Sequence, residues 1–464
     1  MGESKLEHKG KTGSALKCIS LSAVVGQVTD EKISVTSCTA MALFIMSAAI
    51  MAGMSIKKKS IDFIMNSYPD IIKYFILPLM AIMVFGVYLM VIEKMRKDGA
   101  GLFKTIKKNP IFAIFTLAVI LMIWSQIYNG MEYALNGYCS ASLAETYPME
   151  MIYFIFILFG ATQVRKEAHK RFLLRMQMLV SSFLVVTAFL LWQELVESSF
   201  FYDWTPRFSS IFSNTNYYTY YLAVSVPLAG AYFMYEKCIV WKIIAAIAFM
   251  GNTVALSINN CTGGWIGATF AVIFIVVAHF IIEKKFNWQS IALIIVFAIC
   301  MYVPGHILGT FEGNALEFGT DLANVITGAE GSEHAGSGRI QIWKDTMVIV
   351  NENPLLGIGF EGVGYWGFKG HPSNIRPHNE FIQYAVFHGY PMMICYFLGC
   401  LGIFIRALRR KKTMDGATLV SLSAAFGYLV SSFFGLTVFS TAAYLFIFLG
   451  MGYVREEQES KEEA

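Results

Sequence analysis

Apolar runs of about 20 residues, the length that crosses the hydrocarbon of a bilayer as an α-helix, recur along almost the whole chain of 464 residues. The runs lack the alternation of barrel strands, and lipid offers backbone groups no hydrogen bonds, so the spanning element is the helix. A hydrophobic fraction of 56% with only 15% charged residues excludes a soluble globular chain of this length. The sequence therefore predicts an all-α polytopic membrane protein.

The apolar runs predict about twelve spans, with short turns from the fifth to the ninth. They form one transmembrane domain over 37–453, between tails at 1–36 and 454–464. One long segment, 304–385, separates the ninth span from the tenth. The predicted spans lie near 37–55, 71–92, 111–128, 148–164, 173–195, 217–235, 239–258, 263–283, 287–303, 386–405, 417–434 and 436–453.

Lysine and arginine concentrate in alternate loops, which indicates the orientation of the spans. Loop 93–110 has six of these residues, 165–172 has four and 406–412 has five, whereas the loops between them are poor in cations. The rich loops and both termini are predicted to be cytoplasmic, and 304–385 extracytoplasmic. Only the lysines at 57–59 disagree. The net charge of +4 includes no basic domain that would bind nucleic acid.

The stretch 337–383 is the only long segment rich in polar residues. Its first part places apolar residues at helical spacing after Arg339, and Asn353-Pro354 should end that helix. We expect the helix to lie at the membrane interface, with Trp343 in the lipid boundary and Arg339 facing a cavity. A guanidinium presents a fixed fork of donors that suits phosphate. The alternative is an ion pair between Arg339 and Asp345 or another carboxylate of the loop.

The segment 357–362 formally matches the glycine pattern of a dinucleotide-binding loop, but no βαβ unit surrounds it. A match of this kind without a preceding strand and a following helix is weak. The glycines instead indicate that the loop turns sharply and brings its backbone close to a ligand or to the membrane face.

Arg376-Pro377-His378-Asn379-Glu380 predicts a second helix start, with Pro377 in the first helical position. Such a start directs unpaired N–H groups and a positive dipole at an anion. His378 can donate to phosphate or accept a proton near neutral pH. Glu380 can orient the imidazole or serve as the base itself.

Another outward candidate is the polar turn that precedes the sixth span. Arg207 is the only cation of its loop, and Asn214 and Asn216 follow it. The alternative for the asparagines is that they only cap the next helix. The polar turn 259–265 contains no arginine, and small residues that allow close helix packing are its simplest interpretation.

Three motifs occur in order: G-R-x-x-x-W from Gly338, N-P-L-x-G-x-G from Asn353, and H-N-E-x-x-Q from His378. Together with the element from Arg207, in which Ser210 replaces a usual glycine, they resemble the O-antigen ligase/polymerase superfamily over roughly 205–450. Many relatives carry Ser-Arg near 259–265, so one potential diphosphate ligand is missing here.

The resemblance implies an integral glycosyltransferase of the C-type architecture that uses undecaprenyl-diphosphate-linked glycans and inverts the anomeric centre. No metal, nucleotide sugar or other cofactor is expected, and the histidine spacings indicate no metal site. The implied assignment has a catalytic pair, diphosphate ligands and supporting residues. The catalytic pair is His378 and Glu380. The diphosphate ligands are Arg207, Arg339 and Arg376. The supporting residues are Asn214, Asn216 and Asn379.

The function predicted is polymerisation of lipid-linked repeat units on the outer face of a bacterial cytoplasmic membrane. Its partners are then the lipid-linked donor, a glycan or other hydroxyl acceptor, the bilayer and polysaccharide-assembly proteins. The alternative is a ligase that transfers the glycan en bloc to another acceptor. A lipid-linked oligosaccharide flippase fits less well, because it needs charges along a path between leaflets and the spans are nearly bare of them.

Overall fold

The structure, a computed structural model, describes 110–130, 166–193, 214–259, 261–327, 338–363, 376–437 and 439–454, most of 38–49, and individual positions at 150–164, 208–212 and 336. Every regular element among these residues is a helix. Seven of the helices are long and apolar enough to cross a membrane. The all-α polytopic class is confirmed, while the number of spans remains a prediction.

Eleven α-helices follow one another in the part of the chain that the structure describes. They are α1 Pro110–Asn129, α2 Glu167–Trp192, α3 Thr215–Tyr235, α4 Ile239–Ile258, α5 Thr262–Glu283, α6 Trp288–Leu308, α7 Thr310–Thr327, α8 Arg339–Glu352, α9 Glu380–Arg409, α10 Gly416–Ser431 and α11 Phe439–Met451.

Most of these helices lie where the apolar runs predict spans, and α4 has the predicted bounds of 239–258. The described positions of the predicted spans 37–55 and 148–164 are also helical for the most part. The predicted span 71–92 lies outside the described residues. The long segment after α6 contains α7 and α8, as expected of a loop with short helices of its own.

Helix α3 is the centre of the bundle, since its side chains are buried on all sides through most of its length. A helix that is covered all round belongs in a core. It packs against α4, α5 and α10, and glycines allow the closest approaches. A Cβ on Gly427 would overlap the carbonyl oxygen of Ala223, and a Cβ on Gly264 would lie 2.6 Å from the Cβ of Thr219. Small residues thus bring backbones together as in other membrane bundles.

One end of the bundle collects the cation-rich segments. Lys170 pairs with Asp415 at 3.0 Å, which links the start of α2 to the start of α10. Arg171 and Arg175 each lie 3.0 Å from the carboxylate of Glu236, which connects α3 to α4. The predicted cytoplasmic segments around Arg171, Glu236 and Asp415 therefore share one end of the molecule, the loop 93–110 lies almost wholly outside the described residues, and the absolute orientation stays a prediction.

Helix α9 is two helices joined by a sharp turn, because Gly389 has φ 83° and ψ 168°. The carboxylate of Glu380 accepts a hydrogen bond from Tyr396 at 2.8 Å. In a continuous helix 16 residues span about 24 Å, so the chain must fold back. Phe381 also packs on Phe397. We therefore describe a helical hairpin with a first arm at 380–388 and a second arm at 391–409.

The sequence also predicts that the helix beginning at Pro377 runs toward the tenth span, and the hairpin corrects this, because the chain turns back at Gly389 before the span begins. The first arm begins at Glu380 and rises toward the turn at Gly389. Nine residues rise about 13 Å along a helix. The segment before Glu380 therefore lies well below the turn, among the membrane helices, and not at their outer edge.

The glycine-rich loop docks against the hairpin turn. The helix break at Gly389 and the missing N–H of Pro391 leave the carbonyls of Val386 and Phe387 without partners in the helix. The N–H of Ile358 donates to Val386 at 2.8 Å, and that of Gly359 donates to Phe387 at 2.9 Å. Gly357 approaches the same backbone so closely that a Cβ would overlap it. The prediction of a close backbone approach holds here, but toward protein instead of a ligand.

Candidate functional site

Helix α8 and the first arm of the hairpin lie side by side and run in the same direction. Near the turn, Tyr390 Oη donates to Asn351 Oδ1 at 2.7 Å. At the opposite end, Trp343 Nε1 donates to the carbonyl of Pro377 at 2.7 Å. The two helix N-termini therefore lie together, and both direct the positive end of their dipole toward one place. We name this place the hairpin base: Arg339, Arg376, Pro377, His378 and Asn379.

Arg339 is the first residue of α8 and is half-buried. Its Nη1 donates to the carbonyl of Gly336 at 3.1 Å. Among the residues that the structure describes, it has no carboxylate partner. Asp345, the predicted alternative partner, accepts from Gln341 at 2.7 Å instead. The ion pair within α8 is therefore absent, and the guanidinium keeps its positive charge at the hairpin base.

His378 has a left-handed backbone with φ 47°. Outside glycine this conformation is uncommon and costs free energy. Burial, together with the charges of Arg339 and of the buried Arg376, lowers the pKa of His378 to about 4. The imidazole is therefore neutral at physiological pH and able to accept a proton. The same finding shows that both arginines lie within electrostatic reach of His378.

Asn379 caps the first arm of the hairpin. Its Oδ1 accepts from the N–H of Phe381 at 3.0 Å and from that of Ile382 at 3.1 Å. The prediction that Pro377 is the first helical residue is wrong, because the cap delays the helix until Glu380. Two N–H groups that were expected to face an anion are satisfied by the cap. Asn379 supports the hairpin base by setting where the helix begins.

Glu380 does not orient His378 in this structure. Its carboxylate is fully buried and accepts from Tyr396 at 2.8 Å and from Tyr428 at 2.9 Å. The sequence placed it beside the histidine, but the first helical turn directs it between the second arm and α10. Its expected contact with the imidazole is therefore corrected to a contact with two tyrosines.

The half-buried Trp343 packs against protein on its indole side, where the sequence predicts contact with the lipid boundary. Its indole donates to Pro377, and its ring lies 6.5 Å from that of Phe434. The carbonyl of Phe434 in turn accepts from the hydroxyl of Tyr220 in α3. Tyr220 lies within electrostatic reach of Arg339. The loop after α10 thus joins α3 to the hairpin base, a contact that no spacing in the sequence predicts.

Asn214 fills the role that the capping alternative gives to the asparagines, whereas Asn216 is itself a residue of α3. Asn214 Oδ1 accepts from the N–H of Asn216 at 2.8 Å, and Asn216 lies in the first turn of the helix. Arg207 lies outside the described residues, so its place relative to the hairpin base stays a prediction. The turn near 259–265 is also structural, because the indole of Trp265 donates to the carbonyls of Leu256 and Asn259.

A second polar cluster within the membrane domain was missed. His388 Nε2 lies 2.9 Å from a carboxylate oxygen of Glu150, and both side chains are buried. Nδ1 of His388 faces Ser125 of α1 at 3.4 Å. The spans are therefore less bare of ionisable groups than their composition indicated. The pair lies beside the hairpin turn at Gly389.

Two comparisons with known proteins complete these findings. A family model described as O-antigen ligase matches residues 245–397, which run from α4 to the start of the second hairpin arm. The match includes Arg339, Arg376 and His378. No curated protein matches the chain.

Proposed function

We propose that this chain, a member of the O-antigen ligase/polymerase superfamily, is a glycosyltransferase that polymerises undecaprenyl-diphosphate-linked repeat units. The reaction would take place on the outer face of a bacterial cytoplasmic membrane. One observation carries the proposal: Arg339 and Arg376 lie within electrostatic reach of a neutral His378 where two helix N-termini meet among membrane helices. The segment 304–385 is then the catalytic part of the transmembrane domain.

The charges suit a diphosphate leaving group. As the glycosyl bond breaks, negative charge develops on the diphosphate, and preorganised cations and dipoles stabilise it. Arg339 and Arg376 supply two fixed positive charges, and the N-terminus of α8 adds its partial charge. We assign Arg207 as a third ligand from the sequence alone.

His378 completes the proposed reaction. The acceptor oxygen forms a bond to the anomeric carbon while the bond from that carbon to the diphosphate oxygen breaks with inversion. The diphosphate leaves with the electron pair, and the acceptor proton passes to the neutral imidazole. The alternative is that His378 only binds phosphate and that no general base is needed.

A ligase that transfers the glycan en bloc is the second candidate, and the description of the matching family favours it. Both activities require the same donor site, so the hairpin base does not separate them. The flippase reading is weaker, because the arginines at the hairpin base lie at one level of the bundle. Polysaccharide-assembly proteins are proposed as further partners.

The deciding experiment uses the purified full chain in vesicles with undecaprenyl-diphosphate repeat units only. A ladder of lipid-linked products supports the polymerase. Product that forms only after a chemically different acceptor is added supports the ligase. Wild-type protein that forms no product with any hydroxyl acceptor, while its fold and donor binding are intact, contradicts both. A His378→Ala variant in the same vesicles controls for contaminating activity.

A further inference from the structure

One hydrogen bond joins the helix that carries Arg339 to the segment that carries His378. Trp343 lies one turn after Arg339 in α8, and its Nε1 donates to the carbonyl of Pro377 at 2.7 Å. That carbonyl belongs to the peptide unit immediately before His378. A bond at this position restrains the backbone that sets the direction of the imidazole.

The backbone at His378 needs such restraints. A residue other than glycine keeps a left-handed backbone conformation when neighbouring contacts hold it there. On the helical side, Asn379 binds two N–H groups of the first arm. On the other side, the bond from Trp343 holds Pro377. The strained residue therefore lies between two fixed points, one of them supplied by α8.

The indole itself is held in place by its own neighbours. Its ring lies 6.5 Å from that of Phe434, whose carbonyl accepts from Tyr220 of α3. Trp343 is half-buried, so its N–H has limited access to water as an alternative partner. The chain of contacts thus runs from the central helix of the bundle to the backbone of His378.

We propose that Trp343 is a positioning residue for the transfer step: its indole N–H, bound to Pro377, sets the backbone of His378 so that the imidazole stays within reach of Arg339 and Arg376. The inference rests on the proposed function for its kinetic consequence. It does not assign Trp343 any contact with substrate. Two residues of α8 then have different roles. Arg339 binds the donor, and Trp343 positions the base, His378.

The test is Trp343→Phe, which keeps an aromatic ring against Phe434 and removes the N–H donor. The loss of one hydrogen bond should lower kcat by about three- to tenfold, while KM for the donor stays unchanged because Arg339 is retained. The matched control is Trp288→Phe on the exposed face of α6, where the ring contacts Phe233 and lies far along the chain from the hairpin base. This control should match the wild type.

A second readout needs no turnover. In the wild type, the imidazole of His378 should titrate near pH 4 when it is followed by NMR, because burial and the charges of Arg339 and Arg376 oppose protonation. In folded Trp343→Phe, the freed imidazole should move away from the arginines and titrate at higher pH, closer to its ordinary value of 6.5. Thermal unfolding and size-exclusion chromatography establish that the variant is folded.

The outcomes separate the two proposals. An unchanged titration of His378 in folded Trp343→Phe overturns the positioning role, and so does a raised donor KM with wild-type kcat. A shifted titration supports it, even if wild-type protein forms no product, a result that would contradict only the proposed function. Should Trp343→Phe fail to fold, Trp343→Met serves as the second variant, since its side chain also carries no N–H or O–H donor and its flexible apolar chain can pack against Phe434.

Discussion

The hydroxyl of Tyr396 donates a hydrogen bond of 2.8 Å to the carboxylate of Glu380, although 16 residues separate them. The bond closes the helical hairpin and places Glu380 in the core, where Tyr428 donates to its second oxygen. Both carboxylate oxygens of the glutamate in the H-N-E motif are therefore engaged by tyrosines, so we expect it to act on the structure and not as the base. This arrangement leads to the first prediction.

Glu380→Gln should retain turnover within about tenfold of the wild type. The reason is that Glu380 does not take up the acceptor proton, so the substitution removes no general base. Removing a general base costs about 10²–10⁴-fold. Glu380→Ala should instead lower the unfolding temperature, since each buried hydroxyl left without an acceptor costs about 1–3 kcal/mol. Steady-state kinetics and thermal unfolding of both variants provide the check. A well-folded Glu380→Gln with a hundredfold loss in kcat would return the glutamate to a catalytic role.

Much of the fold follows from local patterns in the sequence. The bounds of α4 and the end of α8 at Asn353 follow from apolar periodicity and a helix-stopping proline. The hairpin does not, because Gly389 with Pro391 can equally mark a mild kink in a straight span. Only the tertiary contact from Tyr396 to Glu380 distinguishes the two cases.

The dependence on tertiary contacts also limits what the sequence predicts of the site. The motifs identify Arg339, Arg376 and His378, because their chemistry is unusual in an apolar chain. The direction of a side chain depends on where the helix begins, and the cap by Asn379 moves that start past Pro377. The predicted contact between Glu380 and His378 is wrong for this reason. Trp343 was expected in lipid because an apolar residue at helical spacing does not reveal which surface covers it.

Gly389, Gly309 and Gly313 allow a graded test of backbone geometry. Gly389→Ala should destabilise the protein severely, because φ is 83° and an added Cβ would overlap the carbonyl group of Leu355. Gly309→Ala meets no neighbour within 4 Å but has φ 71°, so it should cost only about 1–2 kcal/mol. Gly313→Ala, with open space in α7, should be neutral or stabilise by about 0.5–1 kcal/mol. Thermal unfolding in detergent should rank the three in this order, and equal effects would contradict the docking of the loop on the hairpin turn.

The carboxylate of Glu236 should contribute stability that depends on pH in a defined window. Burial raises its pKa, but hydrogen bonds from Tyr232, the N–H of Cys238 and Arg175 outweigh burial and lower the pKa from 4.5 to about 2. A depressed carboxyl pKa stabilises the folded state above pH 4.5, and the contribution is lost as the pH falls toward 2. Glu236→Gln should therefore unfold more easily at pH 7 by about 1–3 kcal/mol, and the difference from the wild type should shrink below pH 4.5.

The control for this effect is Glu167→Gln. Glu167 pairs with Arg171, which also binds Glu236, but the side chain of Glu167 is exposed to solvent. An exposed pair within one helix contributes only about 0.3–0.5 kcal/mol. Equal losses from the two variants, or a Glu236 effect that does not change between pH 7 and pH 3, would contradict the burial argument.

Arg339→Lys and His378→Ala should fail in different ways. The lysine keeps a charge but loses the planar fork, so donor affinity and turnover should both fall. His378→Ala should lose about 10²–10⁴-fold in kcat while it still binds the donor. Binding of undecaprenyl diphosphate, the leaving group itself, measures affinity without turnover. If His378→Ala loses affinity as severely as Arg339→Lys while bound donor still turns over, the histidine is a phosphate ligand and not the base.

The pH dependence of the reaction should distinguish the free enzyme from the donor complex. Burial and the charges of Arg339 and Arg376 hold the pKa of His378 at about 4 in the free protein. A bound diphosphate places negative charge against the two arginines and offsets their effect, so the pKa of the imidazole should rise in the complex.

The imidazole can accept a proton only when the pH is above its pKa, so activity should fall on the acid side of the pH profile. The acid limb of kcat/KM, which reports the free enzyme, should lie near pH 4, and that of kcat should lie at higher pH. Coincident limbs, or a kcat limb at lower pH, would show that the diphosphate does not bind between the arginines and His378.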